Sequence, residues 1–178
     1  MKHWKLPLSL RAISMKAERQ GFTLIELVIG MLVLSIATVL LTSVLFPQSD
    51  RAAATLQRVR ASELAGSVLN EIWGKAYDEN SGFGGVPACG SNDGVNCSTA
   101  FGPDGENRND YDDVDDYNGL KESAEMLNSS QTYAAVYPDY KLLVTVEKGN
   151  KANTKLITVK VKTPAGEVIQ FNALRSNY

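Results

Sequence analysis

Apolar positions fall into three patterns along the chain. Over residues 22–46 they are nearly continuous, 25 residues in which Glu26 is the only charge. At about 1.5 Å per residue, a helix of that length covers roughly 37 Å, enough to cross a hydrocarbon core of about 30 Å. Beyond Asp50 the apolar residues recur at three and four: Ala53, Leu56, Val59, Ala61, Leu64, Ala65, Val68, Leu69, Ile72 and Ala76. That spacing predicts one face of an amphipathic helix. Pro47 separates the two patterns, and a proline removes one helical N–H and crowds the preceding turn. A kink or break near residues 43–47 is therefore expected, with a second helix after it. Leu56, Val59, Leu64, Val68 and Ile72 are expected to cover a sheet, with Trp73 and Tyr77 near the helix end. Arg51, Arg58, Arg60, Glu63 and Glu71 fall on other faces, open to solvent or to a neighbouring subunit.

The C-terminal third changes period. Tyr140, Leu142, Val144 and Val146 alternate with polar or outward positions, as do Ile157, Val159 and Val161, and then Ile169, Phe171 and Ala173. Period two over short runs predicts strands, and Gly149-Asn150 and Pro164-Ala-Gly166 mark the connections. The expectation is an antiparallel meander of three strands, with residues 132–137 a candidate fourth, lying on the second helix. The fold class is α+β. Residues 78–119 have no regular pattern and carry eight glycines, and an unstructured loop of this length inside a compact domain needs to be pinned.

Charge and composition narrow the chemistry. Lys plus Arg is 18 and Asp plus Glu is 20, so no broad basic surface exists to attract nucleic acid. The one histidine is His3 and the only cysteines are Cys89 and Cys97, which leaves no raw material for a zinc site or for histidine-based catalysis. The glycine-rich run at 82–85 lacks the following Lys-Ser/Thr of a phosphate loop. No catalytic group is expected. Lys2, Lys5, Arg11, Lys16 and Arg19 against Glu18 place +4 before the apolar run, so the N-terminus stays cytoplasmic and the remainder is exported. The run also exceeds the core of about 7 to 15 residues of a cleaved secretory signal. In an oxidising exported compartment Cys89 and Cys97 are expected to form a disulfide, a pin of about 2 to 3 kcal/mol for so short a ring. A second candidate pin is acidic: Asp110, Asp112, Asp113, Asp115 and Asp116 repel one another, and calcium, with six to eight oxygen ligands, would relieve that. The EF-hand spacing fails because a ligand position falls on Val114. The alternative is a solvated turn whose carboxylates cap their own backbone and a short helix near residues 120–127.

Glu26 is the residue a plain membrane anchor does not explain, since an acid at mid-helix costs about 2.5 to 3.5 kcal/mol on insertion scales. The run Arg19-Gln-Gly21-Phe22-Thr-Leu-Ile-Glu26-Leu-Val28 closely resembles the processing site of type IV prepilins and pseudopilins. The resemblance implies cleavage after Gly21 by the prepilin peptidase and N-methylation of the new N-terminal Phe22. It implies that Glu26 seeks the terminal ammonium of a neighbouring subunit, and that an inner-membrane assembly platform moves the helix from lipid into a filament core. The chain then divides into a leader at 1–21, whose start could be Met15, a transmembrane and filament-core helix at 22–47, and an exported head at 48–178. Removing the leader's five basic and one acidic side chains from 18 and 20 leaves a net charge of about −6. A long helix against a small antiparallel sheet is also the fold the resemblance implies, and some pseudopilins hold calcium in a head loop.

Segments of the head, among them Asn70-Glu-Ile-Trp-Gly-Lys75 and Arg108-Asn-Asp-Tyr-Asp-Asp-Val-Asp-Asp-Tyr-Asn-Gly119, are similar to a minor-pilin branch of that family. This implies a low-abundance subunit that initiates, primes or caps a surface pilus used in attachment and biofilm formation. Two other classes share parts of the pattern: a minor pseudopilin of a type II secretion system, and an exported enzyme or binding module on an uncleaved signal anchor.

Overall fold

The computed structural model describes residues 21–177; the basic leader and the candidate start at Met15 lie outside the described residues. Two compact units divide the chain, Met1–Pro47 and Gln48–Tyr178. One helical run, α1 (Leu24–Trp73), enters both. The break expected near residues 43–47 is absent as an interruption of the helix, and the second helix is the continuation of the first. A single proline deletes one i−4 hydrogen bond while the flanking turns keep theirs, so it interrupts the ladder without ending it.

In the first unit every described residue from 22 to 46 is exposed. The polar side chains of this stretch turn back on the helix: the hydroxyls of Ser35, Thr38 and Ser43 donate to carbonyls three or four residues earlier at 2.7 to 2.8 Å. Such internal satisfaction suits a helix that offers its surface to an apolar surrounding.

In the second unit the helix packs through Ala61, Leu64, Ala65, Val68 and Ile72, all buried. Leu56 and Val59 do not join them and are 61% and 48% exposed, a correction to the expected stripe. The inward position one turn before Ala61 belongs to Gln57, which is half-buried. Its Oε1 accepts from the Ala165 N–H at 3.2 Å, and its carbonyl accepts from the Tyr140 hydroxyl at 3.3 Å. A polar residue holds the stripe there because loop backbone and a tyrosine supply its partners.

The sheet is a meander as expected: β1 (Lys141–Lys148), β2 (Thr154–Lys162) and β3 (Val168–Ser176), antiparallel in that order. Leu142, Val144 and Val146 of β1 and Ile157, Val159 and Val161 of β2 are buried against the helix, with Ile169, Phe171 and Ala173 of β3 packed on the same core. Two expectations about the flanking chain are corrected. Residues 120–127 form no helix; Leu120 accepts from the Val144 N–H at 2.9 Å, Gly119 donates to the Val144 carbonyl at 2.9 Å, and the segment lies along β1. Residues 132–137 form no fourth strand. Thr132 caps a helical turn, α2 (Tyr133–Val136), by accepting from the Ala135 N–H at 3.2 Å, a local bond that competes with strand pairing.

The irregular segment is pinned to the helix by a buried charge. Arg108 meets Glu71 at 2.6 Å with both side chains about nine-tenths buried. Glu71 also accepts from the hydroxyls of Tyr117 at 2.6 Å and Tyr133 at 3.3 Å. The guanidinium lies over the rings of Tyr111 and Tyr117 and donates to the Glu125 carbonyl at 3.1 Å. One carboxylate on α1 thus holds two parts of the loop, at Arg108 and Tyr117, and α2 at Tyr133. Removing one partner of a buried pair leaves the other uncompensated, at a cost of about 3 to 5 kcal/mol. We expect Glu71→Ala to lower the unfolding free energy of the head by that amount in a denaturant titration, with Arg108→Ala similar and the double substitution less than additive.

Candidate assembly segment and its head

Gly21, Phe22 and Thr23 precede the helix and are exposed, Phe22 at 84%. Thr23 caps α1: its Oγ1 accepts from the Glu26 N–H at 3.3 Å and its carbonyl from the Leu27 N–H at 3.2 Å. Thr23-Leu-Ile-Glu26 therefore has the spacing of a capping box, and the carboxylate sits in the first turn, where the helix dipole favours an anion. Sequence reasoning weighs Glu26 only as a mid-membrane charge; the Thr-x-x-Glu spacing is the signal for its place at a helix start. A Cβ added at Gly21 meets nothing within 4 Å. Packing among the described residues therefore does not require glycine there. The same is true of Glu26 as a partner: among the described residues no cation pairs with it.

In the head, Cys89 and Cys97 are bonded as expected. The loop is tied to the chain end by Asn177, whose side-chain amide donates to the Cys89 carbonyl at 2.8 Å. Beside it lies a second buried charge cluster that the sequence did not disclose. The Lys155 ammonium, on β2, meets Asp115 at 2.7 Å and Asp78 at 3.2 Å and donates to the Tyr77 carbonyl at 2.6 Å. All three charged residues are buried. Lys155 precedes Ile157, Val159 and Val161 at period two, so its inward direction was legible; its partners, 40 and 77 positions away, were not.

The five aspartates separate. Asp113 and Asp116 take backbone N–H groups: Asp113 Oδ1 accepts from Asp115 at 2.6 Å, its Oδ2 from Glu79 at 2.6 Å, and Asp116 Oδ2 from Asp112 at 2.9 Å. The carboxylates cap their own backbone as in the alternative, at a short 3-10 turn over Asp115–Tyr117, but the turn is not solvated: Asp113, Asp115 and Asp116 are buried. Asp115 turns to Lys155, while Asp110 is exposed and accepts from the Asn107 amide at 3.1 Å. Asp112 and Asp116 come together only with Glu106, the three carboxylates lying within 4.8 Å of one another. These three carboxylates are the group among the described aspartates that could hold a cation such as calcium, while the chain's own N–H groups and Lys155 relieve the repulsion around Asp113 and Asp115. Asp78 also lies near both cysteine sulfurs, which are spent in the disulfide.

Burial, helped to a lesser extent by the Asp113 and Asp78 charges, pushes the Asp115 carboxyl up to about 7 against the pull of Lys155. Burial and the Asp116 charge raise Asp113 to about 6. Asp78 goes the other way: burial alone would raise it, but the N–H groups of Ser98 and Asn80 together with Lys155 hold it below the usual carboxylate range.

Compared with known proteins, the chain matches the model of the prokaryotic N-terminal methylation motif over residues 16–42. No curated protein and no solved structure matches. The motif supports a type IV pilin-like or pseudopilin-like protein, a class that is generally structural and is processed by prepilin peptidase before assembly into pilus-like filaments. An apolar helix long enough to cross a membrane fits the anchor of such proteins.

The raised carboxyls fix a pH dependence. An acid with a higher pKa folded than unfolded stabilises the fold below its unfolded value, near 4, and loses that contribution as pH rises through the folded value. Melting temperature of the head is expected to fall between about pH 4 and pH 7. Asp115→Asn, which cannot ionise, is expected to flatten the upper part of that slope in scanning calorimetry. Below about pH 4 the depressed Asp78 acts in the opposite sense.

Proposed function

We propose that this chain is a minor pilin of a type IV pilus, most similar to the D-type minor pilin of the mannose-sensitive haemagglutinin (MSHA) pilus, and that it acts in pilus initiation and so in surface attachment and biofilm formation. The observation that carries the reading is the joining of the methylation motif to an apolar helix none of whose residues from 22 to 46 is buried by the chain itself. A helix exposed on all sides is built to be covered by something else, first lipid and then the helices of neighbouring subunits.

The peptidase removes the leader after Gly21 on the cytoplasmic face, and Phe22 becomes the methylated N-terminus. Because nothing among the described residues packs against the missing Cβ, the requirement for glycine at this position is assigned to the peptidase. The subunit waits in the inner membrane with its head in the periplasm, until an ATP-driven platform extracts it. Glu26 enters the filament with its charge uncompensated and pairs with the terminal ammonium of an adjacent subunit. In a low-dielectric bundle that attraction offsets the cost of burial and sets the axial register.

A minor pseudopilin of a type II secretion system rests on the same motif. Deleting the gene separates the two: the pilus reading expects lost or scarce surface fibres with secretion intact, and the pseudopilin reading expects the reverse. Glu26→Ala should be processed normally yet enter the sheared filament fraction poorly, by at least about tenfold for a pairing of about 1.4 kcal/mol or more. Normal incorporation would sink the register role. An exported enzyme or binding module on a signal anchor would show no filament fraction at all.

A further inference from the structure

Lys155 stands at the start of β2, and its ammonium is closed off from water. The side chain is 4% exposed, and the rings of Tyr77 and Phe101 lie 4.3 and 5.7 Å from Nζ. Its two carboxylate neighbours are equally buried but not equally served. Asp78 is held on both oxygens by backbone: Oδ1 accepts from the Asn80 N–H at 3.1 Å and Oδ2 from the Ser98 N–H at 3.0 Å. Asp115 accepts from the ammonium on Oδ2 at 2.7 Å, while its Oδ1 is buried and finds no donor among the described residues.

An ammonium and a carboxylate taken out of water must recover by contact what they lose in hydration. On the Asp115 side that recovery is incomplete. The same two groups can shed both charges by condensing, because together they contain the atoms of an amide and one water. Asp115 suits this better than Asp78, being nearer to Nζ and having an oxygen that gives up no hydrogen bond on leaving.

We infer that Lys155 Nζ and Asp115 Cγ join in an intramolecular amide, with Asp78 carrying a proton between them. Asp78, 3.2 Å from the ammonium, takes one of its protons. The electron pair so freed on nitrogen forms the N–C bond at Asp115 Cγ. One C–O bond of that carboxyl breaks, and the departing oxygen takes the proton held by Asp78 and a second from the nitrogen, leaving as water. The nitrogen keeps its third hydrogen, for which the Tyr77 carbonyl, 2.6 Å from Nζ, is an acceptor. Asp78 ends as the carboxylate it began as, and the step needs no co-reactant. Fixed contact takes the place of chemical activation, since reactants held in a productive intramolecular geometry behave as though at about 10⁵ M or more. The bond fastens the irregular segment to β2 covalently. Until it forms, the site is the ion pair described above, and the pH dependence of melting given there belongs to that unlinked chain.

The test is the intact mass of the full chain, extracted from membranes and denatured with its disulfide kept. The expected mass is one water below that calculated for the measured N-terminus and the disulfide, so the result does not depend on how the leader is processed. A protease digest should contain one branched peptide joining Lys155 to Asp115. Lys155→Arg, which keeps a cation but offers no condensing amine, should show the full mass. In a time course after pulse labelling, Asp78→Asn should lose its water about 100-fold or more slowly, the usual contribution of a positioned acid–base group. A wild-type mass with no water missing, or a missing water that maps to any other pair of residues, would overturn the inference; an unslowed Asp78→Asn would overturn the proton-carrying role.

Discussion

One helical run has to satisfy two surroundings, and the rest of the molecule follows from how it does so. Residues 22–46 are apolar all round, and their few hydroxyls are absorbed by carbonyls one turn back. Residues 61–72 are apolar along one stripe only, which a three-stranded sheet covers. A helix of uniform polarity could serve one of these roles and fail at the other. The change occurs around Pro47, where the helix nonetheless continues, and it is there that the chain divides into its two units.

Beyond the core between sheet and helix, the head is held by how the long irregular segment is fastened to it. Glu71 and Arg108 gather parts of the loop on the helix side, and Lys155 with Asp78 and Asp115 gathers others on the strand side. Both clusters bury charge, which is tolerable only because each charged group finds several partners. The disulfide adds a local ring beside Asp78 and is fastened in turn by Asn177. A segment with almost no regular structure is thereby fastened through Asp78 and Asp115 on Lys155 and through Asp113 on backbone N–H groups.

Legibility in the sequence followed range. The apolar run, the stripe at Leu64, Val68 and Ile72, the three strands and the cysteine pair were all readable, because period and compartment decide them locally. Leu56 and Val59 depart from the pattern because the period continues through them while the covering surface does not, and Gln57 takes the inward place. Residues 132–137 are a candidate strand by their tyrosine and valine content, yet Thr132 caps a helical turn. The acidic run showed its repulsion but not its remedy, since Lys155 and the backbone donors that relieve it are fixed only by the fold. Glu26 is legible as an anomaly and its motif supplies the reason, while the Thr-x-x-Glu spacing carries its capping by Thr23 at the helix start.

The central claim is that the apolar helix begins as a processed N-terminus made for other subunits. The most direct measurement is intact mass and N-terminal sequence of the membrane-extracted protein from cells with and without prepilin peptidase. The account predicts a chain beginning at methylated Phe22 when the peptidase is present and an intact leader when it is not. An intact leader in both would contradict it, returning the helix to the status of a plain anchor and withdrawing the roles given to Gly21 and Glu26.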